Sequence, residues 1–257
     1  MRVFFLTTND RIFLPYFFEK VFCKIGYKAI GLAIAEDPHF LRFLKNSLFL
    51  MGFWLFLDEV IYQLKVVLKD IFLSVFVPLK RNSIKSICEK YDVPLMRVKK
   101  VNSKKFRTFL EEKDIDVLVS VACPQILKKK ILQIPRKGCI NVHYSLLPNY
   151  RGQYPSFWVL AYGEENTGVS VHYMVEKIDA GDILVQVKEK ILPEDTFYSL
   201  VKRLKTTIGP QALVLALEKI EKGDSSVARN DPEKGSYFSF PTKQDMVLFR
   251  NGGRKWR

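Results

Sequence analysis

The chain has 257 residues, 48% of them apolar and 13% aromatic, with 13 Gly and 12 Pro. A sequence of this size and composition buries about 70–75% of its unfolded surface, which excludes a disordered, collagen-like or peptide-sized scaffold. Lys and Arg number 41 against 27 Asp and Glu, a formal charge of +14, which favours anionic partners such as phosphorylated ligands, RNA or acidic lipid.

The first apolar run, Val3 to Leu6, follows one basic residue and stops at Thr7-Thr8-Asn9 without a small-residue cleavage site, so it reads as a strand and not as a signal peptide. Leu14 to Ile25 is amphipathic and predicts a helix, and Ala29 to Ala35 predicts a second strand. Residues 39–80 do not fit a short strand–helix connection and read as a helical insertion. Its charge-free run from Asn46 to Leu57 has 12 residues, short of the roughly 20 that span a bilayer. The spacing of Val60, Ile61, Leu64, Val67, Leu68, Ile71 and Phe72 predicts helix. The favoured reading is a hairpin packed on the body or on a second copy in a homodimer; the sharper one is peripheral contact with an acidic membrane. His39, at the insertion's edge, reads as a surface residue.

Beyond the insertion, helices are expected near Ser83 to Tyr91, Ser103 to Glu112 and Gln125 to Gln133, with Asn82-Ser83 and Asn102-Ser103 supplying helix-start oxygens. Strands are expected at Leu95 to Val98, Val117 to Val121 and Ile140 to His143, then at Gly168 to Val175 and Asp182 to Ile191. Thr196 to Lys222 reads as one or two helices interrupted at Gly209-Pro210. This alternation predicts an α/β fold: a Rossmann-like, mostly parallel sheet with flanking helices, then a strand pair and a C-terminal helix. Residues 1–222 are expected to form the main domain. Residues 223–257 are too few for a core of their own and read as a tail that docks through Tyr237, Phe238 and Phe240.

Cys23, Cys88, Cys123 and Cys139 stand far apart, without the paired spacing of a zinc cage or redox pair. No metal site is expected, and the cysteines read as thiols of a reducing, cytoplasmic compartment.

The chemistry concentrates in Asn141-Val142-His143-Tyr144-Ser145-Leu146-Leu147-Pro148-Asn149-Tyr150-Arg151-Gly152 and Ile178-Asp179-Ala180-Gly181-Asp182. Asn141 and His143 are two apart on an expected strand, so both side chains leave the same face. They lie at a strand's carboxyl end, where open α/β sheets bind ligands. An isolated pair of this kind reads equally as an Asn and a His satisfied by loop carbonyls. Arg151 with Gly152 reads as a loop tie and a turn, Asp182 as a loop or capping group, and Asp195-Thr196 as a helix start.

Taken together, these segments resemble the N10-formyltetrahydrofolate-dependent formyltransferases, the family that includes methionyl-tRNA, glycinamide ribonucleotide and sugar N-formyltransferases. The Asn-x-His pair, the Ser-Leu-Leu-Pro loop ending in Arg-Gly and the Asp of a downstream Asp-x-Gly stretch recur there in this order. The resemblance is strong from Asp116 to Ile191 and absent over the insertion. It implies a catalytic trio of Asn141, His143 and Asp179 and 10-formyltetrahydrofolate as co-substrate. Asn141 and an imidazolium at His143 would meet the charge developing on the formyl oxygen, while Asp179 would raise the pKa of His143 or relay the amine's proton. The resemblance also implies a folate pocket walled by Val121, Ala122, Cys123, Pro124 and Gln125, by Ser145, Leu146, Leu147 and Pro148, and by Val175 to Asp179, including Ile178. His172 resembles a position at which relatives also carry His, and packing is as good a reading of it as contact with the reaction. Cys123 reads as a pocket-lining residue and not as a nucleophile.

The expected acceptor is a small amine, first an amino sugar on a nucleotide or lipid carrier. The basic residues are scattered without aromatic interleaving, and the sequence shows no room for a tRNA-gripping barrel. Aminoacylated tRNA ranks second, and a formyltetrahydrofolate hydrolase third.

Overall fold

The computed structural model describes residues 1–25, 28–76 and 83–257. Its elements run β1 (Val3–Thr7), α1 (Leu14–Ile25), β2 (Ala29–Ala35), α2 (Phe40–Met51), α3 (Phe53–Phe76), α4 (Ile84–Lys90), β3 (Leu95–Val98), α5 (Lys104–Glu112) and β4 (Val117–Val121). They continue with α6 (Lys129–Leu132), β5 (Cys139–His143), β6 (Arg151–Gly152), α7 (Pro155–Ala161), β7 (Asn166–Tyr173) and β8 (Ile183–Lys190). α8 (Phe197–Arg203), α9 (Gly209–Glu221), β9 (Tyr237–Phe238) and α10 (Lys243–Asn251) complete the chain. The main sheet has the order β3-β2-β1-β4-β5-β7-β8; it is parallel from β3 through β5, and β7 and β8 run antiparallel.

β1 shows why the sheet is covered on both sides. Every residue of Val3–Thr7 is buried. Val3 and Phe5 join the layer of α1 and α9, while Phe4 and Leu6 join the layer of α5 and α6, the continuous apolar run of a parallel strand between two helix layers. The strand order reverses between β1 and β4, which opens a crevice at their carboxyl ends.

Two expected elements differ. The helix expected over Gln125 to Gln133 is reduced to α6, because the chain leaves β4 through Ala122 at φ 53° and because Gln125 is tied to other loops. Its amide accepts from Val101 N and donates to Glu36 O and Lys99 O. The interruption at Gly209-Pro210 takes the form of a π-helical segment, Leu204–Ile208, between α8 and α9; the wider hydrogen-bonding pattern absorbs the N–H that Pro210 lacks. Ser83, Ser103 and Thr196 cap α4, α5 and α8 through their side chains. The helix-start oxygen expected at Asn82 and the insertion's last residues, 77–80, lie outside the described residues.

The insertion folds as a hairpin of α2 and α3. No helix among the described residues is long and apolar enough to cross a membrane. His39 is exposed, as expected. The tail beyond α9 returns to the body through aromatic rings: Phe238 stacks on Trp158 at 4.6 Å, Phe249 on Phe157 at 5.1 Å and Trp256 on Phe197 at 4.2 Å between centroids. β9 pairs in parallel with β6, Arg151 opposite Tyr237 and Gly152 opposite Phe238.

Candidate active site

Alternation along β5 sends Ile140 and Val142 into one helix layer and Cys139 into the other, beneath α6. Asn141 and His143 follow Cys139 on the same face. The antiparallel register of β7 puts His172 opposite Asn141 and Ser170 opposite His143. Two histidines and an amide are therefore neighbours by ladder geometry alone.

Asp179 reaches this group from the loop between β7 and β8, with φ at 49°. Its Oδ1 lies 3.5 Å from Asn141 Nδ2 and 3.5 Å from His172 Nε2, and its Oδ2 lies 3.5 Å from His143 Nδ1. Gly152 N donates to Oδ2 at 2.9 Å. Backbone carbonyls assign the ring protons, since a carbonyl can only accept. His172 Nδ1 donates to Tyr173 O at 2.8 Å, leaving Nε2 to accept from Asn141 Nδ2 at 3.3 Å. His143 Nε2 lies 2.8 Å from Tyr150 O and its Nδ1 lies 3.5 Å from Asp179 Oδ2, two acceptors that each favour a ring N–H.

Burial alone would raise the Asp179 carboxyl, but His143, His172 and the Gly152 N–H outweigh it and hold the group at about 2. Asp179 is an anion. Burial pushes His143 below its usual value, with His172 adding to the effect, and the attraction of Asp179 does not overcome it. Desolvation is thus the larger influence on His143, opposed by the carboxylate that the motif places beside it.

Asp179 within the cluster, Tyr150 beside His143, and also Ala122 and Tyr154 hold positive φ. Such backbone costs of order 1–3 kcal/mol per residue and persists where surrounding contacts enforce it. Around Tyr150 those contacts come from the tail. Tyr150 N donates to Ser236 Oγ, and Arg151 Nη2 donates to Pro232 O at 3.0 Å. Asn230, buried, donates through Nδ2 to Asp179 O and to Gly181 O, each at 2.9 Å. The residue pattern did not single out Tyr150 O, Gly152 N or Asn230. Backbone groups leave no side-chain signature, and an Asn in the polar stretch Asn230-Asp231-Pro232 reads as a turn.

The expected folate wall divides in two. Ala122, Cys123, Pro124, Leu146 and Pro148 are partly exposed, and Val175 and Ile178 are exposed. Val121, Ser145 and Leu147 are buried, so these three side chains are not open to a ligand, while Gln125 is partly exposed with its amide bonded between loops. The Ser145 hydroxyl donates to Asn149 O at 3.0 Å. Ser170 and Gln186 staple the Ser145–Pro148 loop to β7 and β8 through Leu147 N and Leu147 O. Cys123 is pushed up to about 11 by burial, which keeps it a thiol.

Residues 77–217, more than half of the chain, match the formyl transferase family. The chain belongs to that family. The methionyl-tRNA formyltransferase of Thermotoga maritima is 36% identical over 165 residues, 64% of this chain and 52% of that protein. This formyltransferase chain thus spans about half the length of the curated relatives it matches. A sugar N-formyltransferase from Shewanella sp. shares the fold with a TM-score of 0.61 at 18% identity, over 98% of this chain and 87% of that one. The N-formyltransferase of Helicobacter canadensis, solved with folinic acid and dTDP-3-aminofucose, shares it at 0.58 and 17% identity, over 95% and 72%.

Proposed function

We propose that the chain transfers a formyl group from 10-formyltetrahydrofolate to a primary amine. The reading is carried by the convergence of the Asn141 amide, the His143 imidazole and the Asp179 carboxylate, with Asp179 within 3.5 Å of both partners. Partly exposed Ala122, Cys123 and Pro124 after β4 and exposed Val175 and Ile178 before Asp179 suit a flat ring with an apolar face and polar edges, and these residues would hold the folate. When bound, it supplies an activated formyl carbon on N10.

The chain's own groups do the rest. Asn141 offers an uncharged N–H to the formyl oxygen as negative charge develops there, and such a donor contributes about 10²–10³ in rate. The His143–Asp179 pair takes up the amine's proton, the Asp179 anion stabilising the imidazolium when His143 carries it. The new C–N bond forms as the C–N10 bond breaks, and the proton ends on N10. No enzyme nucleophile enters this scheme, consistent with Cys123 remaining a thiol.

For the acceptor, the relative at 36% identity is a methionyl-tRNA formyltransferase, whereas the sugar N-formyltransferase is similar in fold at 18% identity. That ordering, with the charge of +14, supports the aminoacyl group of methionyl-tRNA over the amino sugar that the residue pattern alone favours. The test is to incubate the purified full chain and 10-formyltetrahydrofolate with methionyl-tRNA, with a nucleotide-linked amino sugar, or with water alone, and to identify products by mass. Formylmethionyl-tRNA is the expected product. Formylation of the amino sugar alone reverses the acceptor assignment, and equal formate release in all three arms replaces the transferase by a hydrolase.

A further inference from the structure

The α2–α3 hairpin breaks the usual rule of amphipathic helices. α3 is strongly apolar in sequence, yet among its described side chains none is buried. Leu64, Leu68 and Phe72 are more than half exposed, Ile61 lies in the same row, and Trp54 at the hairpin's tip is 79% exposed. On α2, Leu41 is 80% exposed and Phe49 63%. Contiguous apolar surface on this scale marks an interaction site.

Charge decides what covers it. Lys65 and Lys69, four apart, form a row directly beside the row of Ile61, Leu68 and Phe72, and Arg42 and Lys45 stand on α2. None of these four cations pairs with a carboxylate among the described residues. The acidic groups nearer the tip, Asp58 and Glu59, both pair with the guanidinium of Arg257. Towards the tip of the hairpin, a cavity of about 470 Å³ lies between α3 and α10, with Arg250, Arg254 and Lys255 in its wall beside the Asp58–Arg257 pair. Apolar side chains flanked by unpaired cations, with an exposed Trp at the tip, form the pattern of a helix lying in the headgroup region of an anionic bilayer. A second copy would bring another net +14 chain onto the same cations.

We propose that this face docks the protein on anionic lipid bilayers, with the Leu64–Leu68–Phe72 row entering the acyl boundary and Lys65, Lys69, Arg250 and Lys255 meeting lipid phosphates. This holds whichever amine is the acceptor. The test is co-sedimentation of the full chain with phosphatidylcholine vesicles and with equal mixtures of phosphatidylcholine and phosphatidylglycerol, alongside sedimentation equilibrium without lipid. Binding to the anionic vesicles is expected to be at least tenfold tighter, to weaken with salt, and to fall at least tenfold in the Leu64→Glu/Leu68→Glu double variant. Lys65→Glu/Lys69→Glu should erase the preference for anionic lipid. Circular dichroism and formyl transfer should be unchanged in both, since none of these side chains touches the trio. Failure to sediment with either vesicle overturns the proposal. So does vesicle binding that the Leu variant retains, and so does a lipid-free dimer that it dissolves. Displacement of bound protein by inorganic phosphate at millimolar concentration also overturns it, by making the cavity a free-phosphate site.

Discussion

Gly152 N donates to Asp179 Oδ2 at 2.9 Å, and the same glycine stands opposite Phe238 in the β6–β9 pair. A Cβ at Gly152 would lie 2.2 Å from Phe238 O, and its φ of 96° is one that other residues rarely adopt. Gly152→Ala must therefore part the strand pair or withdraw the N–H from Asp179. The expected result is a loss of about 1–3 kcal/mol in urea unfolding and a fall in turnover larger than the change in KM. Wild-type kinetics in this variant would show that Asp179 is held adequately without Gly152.

Asn230 holds the backbone of the same loop. Asn230→Ala leaves two carbonyls, Asp179 O and Gly181 O, without their donor, which costs about 1–3 kcal/mol per unsatisfied group. Turnover should fall roughly tenfold, one 1.4 kcal/mol step in barrier, with the pH profile displaced as the carboxylate drifts from His143. A purely structural Asn230 would lower stability and leave the pH profile in place.

His143→Ala and Asp179→Asn should each lower turnover by about 10²–10³ or more while the chain stays folded. Thermal unfolding and single-turnover formyl transfer measure the two separately. Near-normal transfer in either variant removes that residue from the proposed chemistry.

Acid should act in two steps. The His143 imidazole is held below its unfolded value of about 6.5, so the unfolded chain binds that proton first and stability falls as pH drops below about 6.5. Asp179 is held at about 2, below the ~3.9 of an unfolded carboxyl, so its contribution is complete above about pH 4 and is lost as pH falls through about 2. Urea midpoints measured across this range should show the upper step in the wild type and lose it in His143→Gln. An upper step that survives that substitution belongs to another group.

β1, β2 and β4 lie where the apolar runs lie, because a strand covered on both faces must be almost wholly apolar. Asn141 and His143 were legible for a similar reason: a two-residue spacing on a strand fixes a shared face. His172 was legible only as one of two readings, since alternation gives its face but not the Asn141 that the antiparallel register sets opposite it. The expected helix at Gln125 fails because three backbone bonds to other loops outweigh local helical preference. The burial that opposes a charge on His143 is a property of the assembled fold, whereas the carboxylate that favours it is visible in the motif.

The β6–β9 pair also bears on synthesis. Phe238 is made long after Asp179 and Gly152, so the glycine whose N–H meets the carboxylate gains its flanking strand late. A chain that has made all of the main sheet has thus yet to make both the strand that flanks Gly152 and the Asn230 that braces the Asp179 loop.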